Sequence, residues 1–258
     1  MMKKRILRGF RMWQRNVDVF KSHYMASIIG NIGEPILYLF GFGAGLGALV
    51  KNAGGVSYME FIAPGMMAAA AMNAAAFECT FGAYTRMAEQ KVYEGILATP
   101  LSVEDIVLGE ILWGATKGLM SSLIMLVILM LFGLFDKYAE IPLIALNMAA
   151  LGLAISSLTM CVTAISSSYE TFNYYFTMFL TPMMLFTGIY FPTEQLPKWF
   201  SSAFLLFPTA HAVNINRYLF HGGSASMPIL GAVFMGVFIP FGIWLSTRMV
   251  KKRLIPAP

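Results

Sequence analysis

Charge-free apolar runs dominate the pattern along the chain. Gly118 to Phe135, Ile141 to Tyr169, Thr171 to Thr193 and Tyr218 to Thr247 hold no Asp, Glu, Lys or Arg. About 20 helical residues cross roughly 30 Å of hydrocarbon, so these runs are long enough, or nearly so, to span a membrane. They show no apolar-polar alternation, which separates them from the roughly 10-residue strands of a membrane barrel. The pattern predicts six spans: about Ser27–Val50, Ser57–Arg86, Ser102–Phe135, Ile141–Ile165, Thr171–Tyr190 and Pro228–Met249. Ser57-Tyr58-Met59-Glu60 and Ser102-Val103-Glu104-Asp105 read as helix-starting capping boxes, and Ser167-Ser168-Tyr169-Glu170 as a third such signal.

Before the first span, Ile6, Phe10, Trp13, Val17, Phe20 and Tyr24 recur at helical spacing on one face, with Arg8, Arg11, Arg15 and Asp18 on another. An aromatic stripe opposite a basic face suits a helix lying in the headgroup plane, and residues 1–24 are expected to form one. Between the second and third spans, Val92, Tyr93, Ile96 and Leu97 give a narrow apolar face on a short helix that Thr99-Pro100 must end. The segment from Phe191 to Met227 carries an apolar stretch broken by Pro208 and preceded by Pro192 and Pro197. Reading it as a full crossing would put the basic C-terminal end outside. A re-entrant pair of short helices keeps that end inside, and broken helices are tolerated where protein buries them.

Charge settles the orientation. Only 12% of the 258 residues are charged and 58% are hydrophobic, about half the charge of a soluble domain. Of the 18 basic residues, seven fall in the first 21 positions, and Arg248, Lys251, Lys252 and Arg253 close the chain. With Arg86 and Lys91, thirteen lie on one side of the predicted topology, against Lys51, Lys137, Lys198 and Arg217 on the other. Basic residues mark the cytoplasmic side, so both termini are expected there. This distribution explains the net charge of +5 without nucleic acid. A cleavable signal peptide is not expected, because a polar helix follows the basic start.

Enzymatic signals are poor. The chain has no Gly-x-x-x-x-Gly-Lys-Ser/Thr phosphate loop, no His-Glu-x-x-His and no Gly-x-Ser-x-Gly elbow. His23, His211 and His221 are too far apart in this topology for a metal site, and Cys79 and Cys161 sit in apolar segments without a disulfide framework. Glu34, Glu78 and Lys117 lie deepest in the spans. A charge at a span's centre costs roughly 2.5–3.5 kcal/mol, so each must face protein or water. They line a substrate path, pair with one another (Glu78 with Lys117, for example), or form a proton relay. Arg217 reads as an interface anchor or a snorkelling side chain. Phe172, Tyr174, Tyr175, Phe176, Phe179 and Phe186 crowd the fifth span as packing residues, or in part as the wall of an apolar path.

Several stretches go further: Tyr93-Glu94-Gly95-Ile96-Leu97-Ala98-Thr99-Pro100-Leu101-Ser102, Gly188-Ile189-Tyr190-Phe191-Pro192, and Leu196-Pro197-Lys198-Trp199 followed by Pro208 and Arg217. Together they resemble the permease subunits of ABC-2 type exporters over nearly the whole chain. Ser57-Tyr58-Met59-Glu60-Phe61-Ile62-Ala63-Pro64-Gly65 and Phe172-Asn173-Tyr174-Tyr175-Phe176 look most like the lipo-chitooligosaccharide (nodulation-factor) exporters of that family. The resemblance implies an all-α integral membrane protein: an interfacial helix over 1–24, then an ABC-2 type transmembrane domain over 25–258. It implies a homodimer in the bacterial inner membrane, bound to two copies of a separate ATPase that carries the ATP and Mg, with no cofactor on this chain. Glu89, Tyr93, Glu94, Ile96, Leu97, Thr99 and Pro100 would form the coupling helix and its end. Glu34, Glu78, Lys117, Phe172, Tyr175 and Phe179 would line the route, in contact with membrane lipid or an amphiphilic cargo. Pro192, Pro197, Trp199, Pro208 and Arg217 would close its outer end. The implied activity is export of a glycolipid, lipo-oligosaccharide or similar amphiphile, with drug efflux as the alternative. An ion-coupled secondary transporter is a rival class, but no inverted repeat is seen. A membrane scaffold, the other rival, would not need the coupling motif.

Overall fold

A computed structural model describes residues 2–22, 37, 41, 45, 52–53, 55–192 and 197–255. Most of the first predicted span, with Glu34, therefore lies outside the described residues, as do His23 and Lys51.

Among the described residues the regular structure is helical apart from one hairpin of two-residue strands, β1 (Asn52–Ala53) with β2 (Val56–Ser57), antiparallel with Asn52 opposite Ser57. The helices are α1 (Met2–Lys21), α2 (Tyr58–Phe77), α3 (Val92–Leu97), α4 (Val103–Leu131), α5 (Ile141–Ile165), α6 (Glu170–Tyr175), α7 (Thr181–Phe186), α8 (Lys198–Phe204), α9 (Pro208–His221) and α10 (Ser226–Leu254). Among the described residues, three helical stretches are long and apolar enough to cross a membrane: Val103–Leu131, Tyr138–Ile165 and Ser226–Leu254. The predicted second and fifth spans are helices interrupted by wide π turns. These occupy Glu78–Gly82 and Thr85–Glu89 after α2, and Phe176–Leu180 between α6 and α7. A π turn inserts a residue into the helical ladder, and such bulges gather at functional sites.

Two predicted capping boxes form. The Ser57 amide donates to Glu60 Oε2 at 3.0 Å and the Glu60 amide returns to Ser57 Oγ at 3.4 Å. The Ser102 amide donates to Asp105 Oδ2 at 2.9 Å. The third signal does not act this way: α6 begins at Glu170 without a side-chain cap.

Helix α4 is the hub, flanked by α2, α5 and α1, while α10 packs along α5 and α9. Close approach needs small residues. A Cβ on Gly118 would meet the Ala71 carbonyl oxygen at 2.8 Å, and one on Gly152 would meet Ala115 Cα at 2.9 Å. Backbones at this distance are the close helix contact favoured where lipid supplies no hydrophobic drive. On α10, Ile229, Val233, Val237, Phe241 and Trp244 are exposed at helical spacing. An apolar stripe of that length facing outward fits a lipid surround.

Helix α1 is turned from its predicted setting. From Arg8 on, Gly9, Met12 and Asn16 are its buried residues and Phe10 is exposed. The packing edge lies about a quarter turn from the aromatic stripe, by the 3.6-residue period. Gly9 abuts Leu108, Gly109 abuts Met12, and Trp13 Nε1 donates to Thr116 Oγ1 at 2.9 Å.

From Pro197 on, the chain forms two helices, α8 and α9. Helix α9 is fixed by a buried amide clasp. Asn147 Nδ2 donates to Asn216 Oδ1 at 2.8 Å and to the Ala212 carbonyl at 2.9 Å, and Asn216 Nδ2 donates to the Pro64 carbonyl at 3.1 Å.

Candidate functional site

The π turns after α2 bring charge into the bundle. Glu78, Gly82 and Arg86 follow one another along a single helix face, and Gly82 leaves room for the two side chains to meet: a Cβ there would lie 2.7 Å from Glu78 Oε1. Arg86 Nη2 reaches Glu78 Oε1 at 2.8 Å. The same guanidinium grips Glu110 of α4, Nε to Oε1 at 3.0 Å and Nη2 to Oε2 at 2.6 Å. Glu110 is 0% exposed. A carboxylate so deep is tolerable only because a fork-shaped cation takes both its oxygens.

Above this cluster Lys117 stands 4.1 Å from the centre of the Phe20 ring and 5.6 Å from that of Trp113. Among the described residues it forms no ion pair. The alternative pairing of Glu78 with Lys117 is thus replaced: Glu78 pairs with Arg86, which lies two turns along its own helix, and Lys117 is held by aromatic rings instead.

Glu78 and Lys117 both face two cavities. One, of about 370 Å³, is walled by α2, α4 and the π turn before α7, with Phe77, Asn73, Ser121 and Phe176 among its lining. The other, of about 410 Å³, lies between α1, the π turns and α4. Predicted path residues divide accordingly. Glu78 and Lys117 stand at the junction of the two cavities. Phe172 is buried in a core with Tyr84 and Tyr93, Tyr175 is buried with its hydroxyl 3.0 Å from Thr159 Oγ1, and Phe179 stacks on Tyr175. These three lie outside the lining of both cavities, and Phe176, one turn on from Phe172, takes the wall position. Arg86 and Glu110 were missed by the sequence reading. The spacing of Glu78 to Arg86 and of Glu110 to Lys117, two helical turns in each case, was the available signal.

Tyr93 corrects the expectation for α3. It is 0% exposed and packs with Met12, Met87 and Ile106 of its own chain, with Ile96 and Leu97 half-buried against the same core. The apolar face of α3 therefore points into the bundle, because that burial is available within the chain. Its outer side presents Glu94, with Glu89, Thr99 and Pro100 exposed at the flanks. The Tyr93 hydroxyl lies near Glu110, with no partner in good hydrogen-bond geometry among the described residues. Burial first, and the Glu110 charge second, push this phenol well above its ordinary range. Lys91, which starts α3, adopts a left-handed φ of 51° and turns the chain back onto the bundle.

At the other end Arg217 is a clamp rather than a free anchor. Its guanidinium lies 4.1 Å from the Phe61 ring centre and Nη2 donates to the Gly188 carbonyl. Pro208 is buried as the first residue of α9, Pro192 is half-buried, Pro197 is exposed and Trp199 is 74% exposed.

Residues 9–221 match the ABC-2 type transporter family. This chain belongs to that family. The permease is similar to Nodulation protein J of Rhizobium meliloti (strain 1021), 39% identical over 250 residues that cover 95% of this chain and 93% of the relative. It is also similar to Nodulation protein J of Rhizobium leguminosarum bv. trifolii, 40% identical over 255 residues, 96% and 95% of the two chains. A more distant likeness is to Inner membrane transport permease YadH of Escherichia coli (strain K12), 23% identical over 214 residues, 82% of each chain. No solved structure matches the permease. Membership makes it a multi-pass membrane transport subunit, in line with its apolar helices.

Proposed function

We propose that this permease is the membrane half of an ATP-driven exporter of a glycolipid, lipo-oligosaccharide or similar amphiphile. Two copies would form the path in the inner membrane, each with six spans and both termini in the cytoplasm, and each bound to a separate ATPase that holds ATP and Mg. The observation carrying this reading is the junction at Glu78 and Lys117. It is a charged station at the edge of the first cavity, whose walls are mostly apolar, and an amphiphile needs both kinds of surface. The likeness to Nodulation protein J supports the same reading. The first span, with Glu34, would complete the wall at the dimer axis. Residues 1–24 would lie at the interface ahead of the transmembrane domain over 25–258. The short pair α8 and α9, pinned by Arg217, would be the re-entrant outer gate. Coupling to the ATPase would run through the outward side of α3, with Glu89, Glu94, Thr99 and Pro100 as contact residues and Tyr93, Ile96 and Leu97 as the support beneath.

The test is ATP hydrolysis by the permease–ATPase complex reconstituted in vesicles, compared across lipo-oligosaccharide, bare polysaccharide and hydrophobic drugs. Stimulation and nucleotide-dependent movement of the lipo-oligosaccharide are expected. Stimulation by drugs alone would move the assignment to drug efflux. Movement driven by an ion gradient without nucleotide would sink the exporter reading.

A further inference from the structure

The cavity between α1, the π turns and α4 has a chemistry that cargo transport does not require. Its polar lining includes Arg15, Asn16, Glu78, Arg86, Gln90 and Lys117. Asn16 is 4% exposed, and its Nδ2 has no hydrogen-bond partner among the described residues. The amide orientation is fixed by chemistry: Arg15 Nη1 donates to Asn16 Oδ1 at 3.0 Å, and a guanidinium can only donate. The atom left over is therefore a buried donor, which costs about 1–3 kcal/mol unless something accepts from it. Lys117 adds an ammonium without a carboxylate among the described residues. Arg86 is already committed to Glu78 and Glu110. Among the described residues, three cations, Arg15, Arg86 and Lys117, stand against the carboxylates of Glu78 and Glu110, which leaves one net positive charge and an excess of donors.

We propose that this cavity binds the phosphate group of an anionic membrane phospholipid. A phosphodiester brings one negative charge and only acceptor oxygens, matching both the charge left over and the unpartnered donor. The rest of the lining, including Val19, Phe20, Phe81 and Trp113, offers apolar surface for a glycerol and the start of its chains, which a free phosphate would not use. Because α1 supplies Arg15, Asn16 and Phe20, a lipid seated here ties that helix to α4 and to the ion cluster. The proposal needs the chain to sit in a membrane but is independent of which cargo it moves.

The full-length permease, purified in uncharged detergent, is titrated with dioctanoyl phosphatidylglycerol, dioctanoyl phosphatidylcholine and inorganic phosphate, and bound ligand is counted by native mass spectrometry. Saturable binding of phosphatidylglycerol is expected, at least tenfold tighter than either other probe. Asn16→Asp, which puts a carboxylate among the donors, and Lys117→Gln should each weaken it tenfold or more. Phosphatidylcholine binding should be the same in all three proteins. Thermal unfolding of the ligand-free variants reports whether each is folded, and either folded variant suffices. Equal affinity for the two lipids, or undiminished phosphatidylglycerol binding in a folded variant, overturns the site. Inorganic phosphate binding as tightly as phosphatidylglycerol overturns the lipid assignment in favour of a free anion.

Discussion

Arg86 and Glu110 meet side by side, Nε on Oε1 at 3.0 Å and Nη2 on Oε2 at 2.6 Å, and this fork joins the end of the second helix to the middle of the hub helix. Losing one partner of a buried pair strands the other and costs about 3–5 kcal/mol, whereas replacing both with apolar groups is often neutral or better. Glu110→Leu should therefore lower the thermal midpoint of the detergent-purified permease sharply, because Arg86 keeps only Glu78. Adding Arg86→Met and Glu78→Gln to Glu110→Leu, which leaves none of the three charges stranded, should recover part of the loss. A triple variant as unstable as, or less stable than, the single one would show that the guanidinium is not the source of the penalty.

Two glycines give a paired test of the crowding at this cluster. At Gly82 a Cβ would lie 2.7 Å from Glu78 Oε1 and 3.3 Å from Arg86 Nη1, whereas at Gly95 it would meet nothing within 4 Å. Gly82→Ala should push Glu78 off Arg86 and destabilise the protein. Gly95→Ala, on the exposed side of α3, should be neutral or stabilising by up to about 1 kcal/mol through helix propensity. Unfolding midpoints of the two variants moving in the same direction would contradict this.

The sequence carries the periodicities and hides the partners. Charge-free runs placed α4, α5 and α10 because apolar length is itself the physical requirement for a span. Ser57 with Glu60 and Ser102 with Asp105 announced two helix starts, since a capping box is local chemistry. Ser167 to Glu170 offers a similar signal, but Tyr169 takes the cap position and its side chain makes no capping bond. Pairings across helices were not legible. Glu78 had two cations within reach in the pattern, Lys117 and Arg86, and the π turns decided between them by keeping Arg86 on the Glu78 face. With Val92, Ile96 and Leu97, Tyr93 reads in the sequence as part of an apolar face on a short helix that a separate ATPase would cover. Its neighbours in space, Met12 and Phe172 among them, come from opposite parts of the chain. On α1 the aromatic stripe was visible, while the packed edge of Gly9, Met12 and Asn16 was not. Close packing selected the small residue that lets α4 approach, rather than the most apolar face.

The setting of α3 separates support from contact. Tyr93→Phe removes a buried hydroxyl with no partner in good hydrogen-bond geometry among the described residues, so stability should hold or rise and ATP-driven transport should continue. Glu94→Arg reverses a charge on the exposed side of the same helix and should uncouple ATP hydrolysis from transport while leaving the permease's unfolding midpoint unchanged. Measured side by side in the reconstituted complex, uncoupling by Tyr93→Phe with normal behaviour of Glu94→Arg would reverse the proposed roles.

The outer end of α2 holds a pH-sensitive contact. Pro64 has no N–H, so the Glu60 carbonyl one turn earlier loses its helical donor, and His221 Nε2 stands 3.1 Å from that oxygen as a replacement. Donation to a carbonyl places a proton on Nε2. Burial holds the His221 pKa below its ordinary 6.5, against the opposing pull of this bond and of the Glu60 charge, with Lys137 and Arg217 adding a smaller push downward. As pH falls past that ordinary value, the unfolded chain takes up a proton that the folded imidazole still refuses. Stability must then fall with pH, and the loss levels off once pH drops below the depressed folded value. The detergent-purified permease should therefore unfold at a lower temperature at pH 5.5 than at pH 7.5. His221→Gln keeps an N–H for the Glu60 carbonyl but does not titrate, and should show a smaller drop between the same two conditions. An equal drop in both proteins would mean that the acid sensitivity arises from groups other than His221.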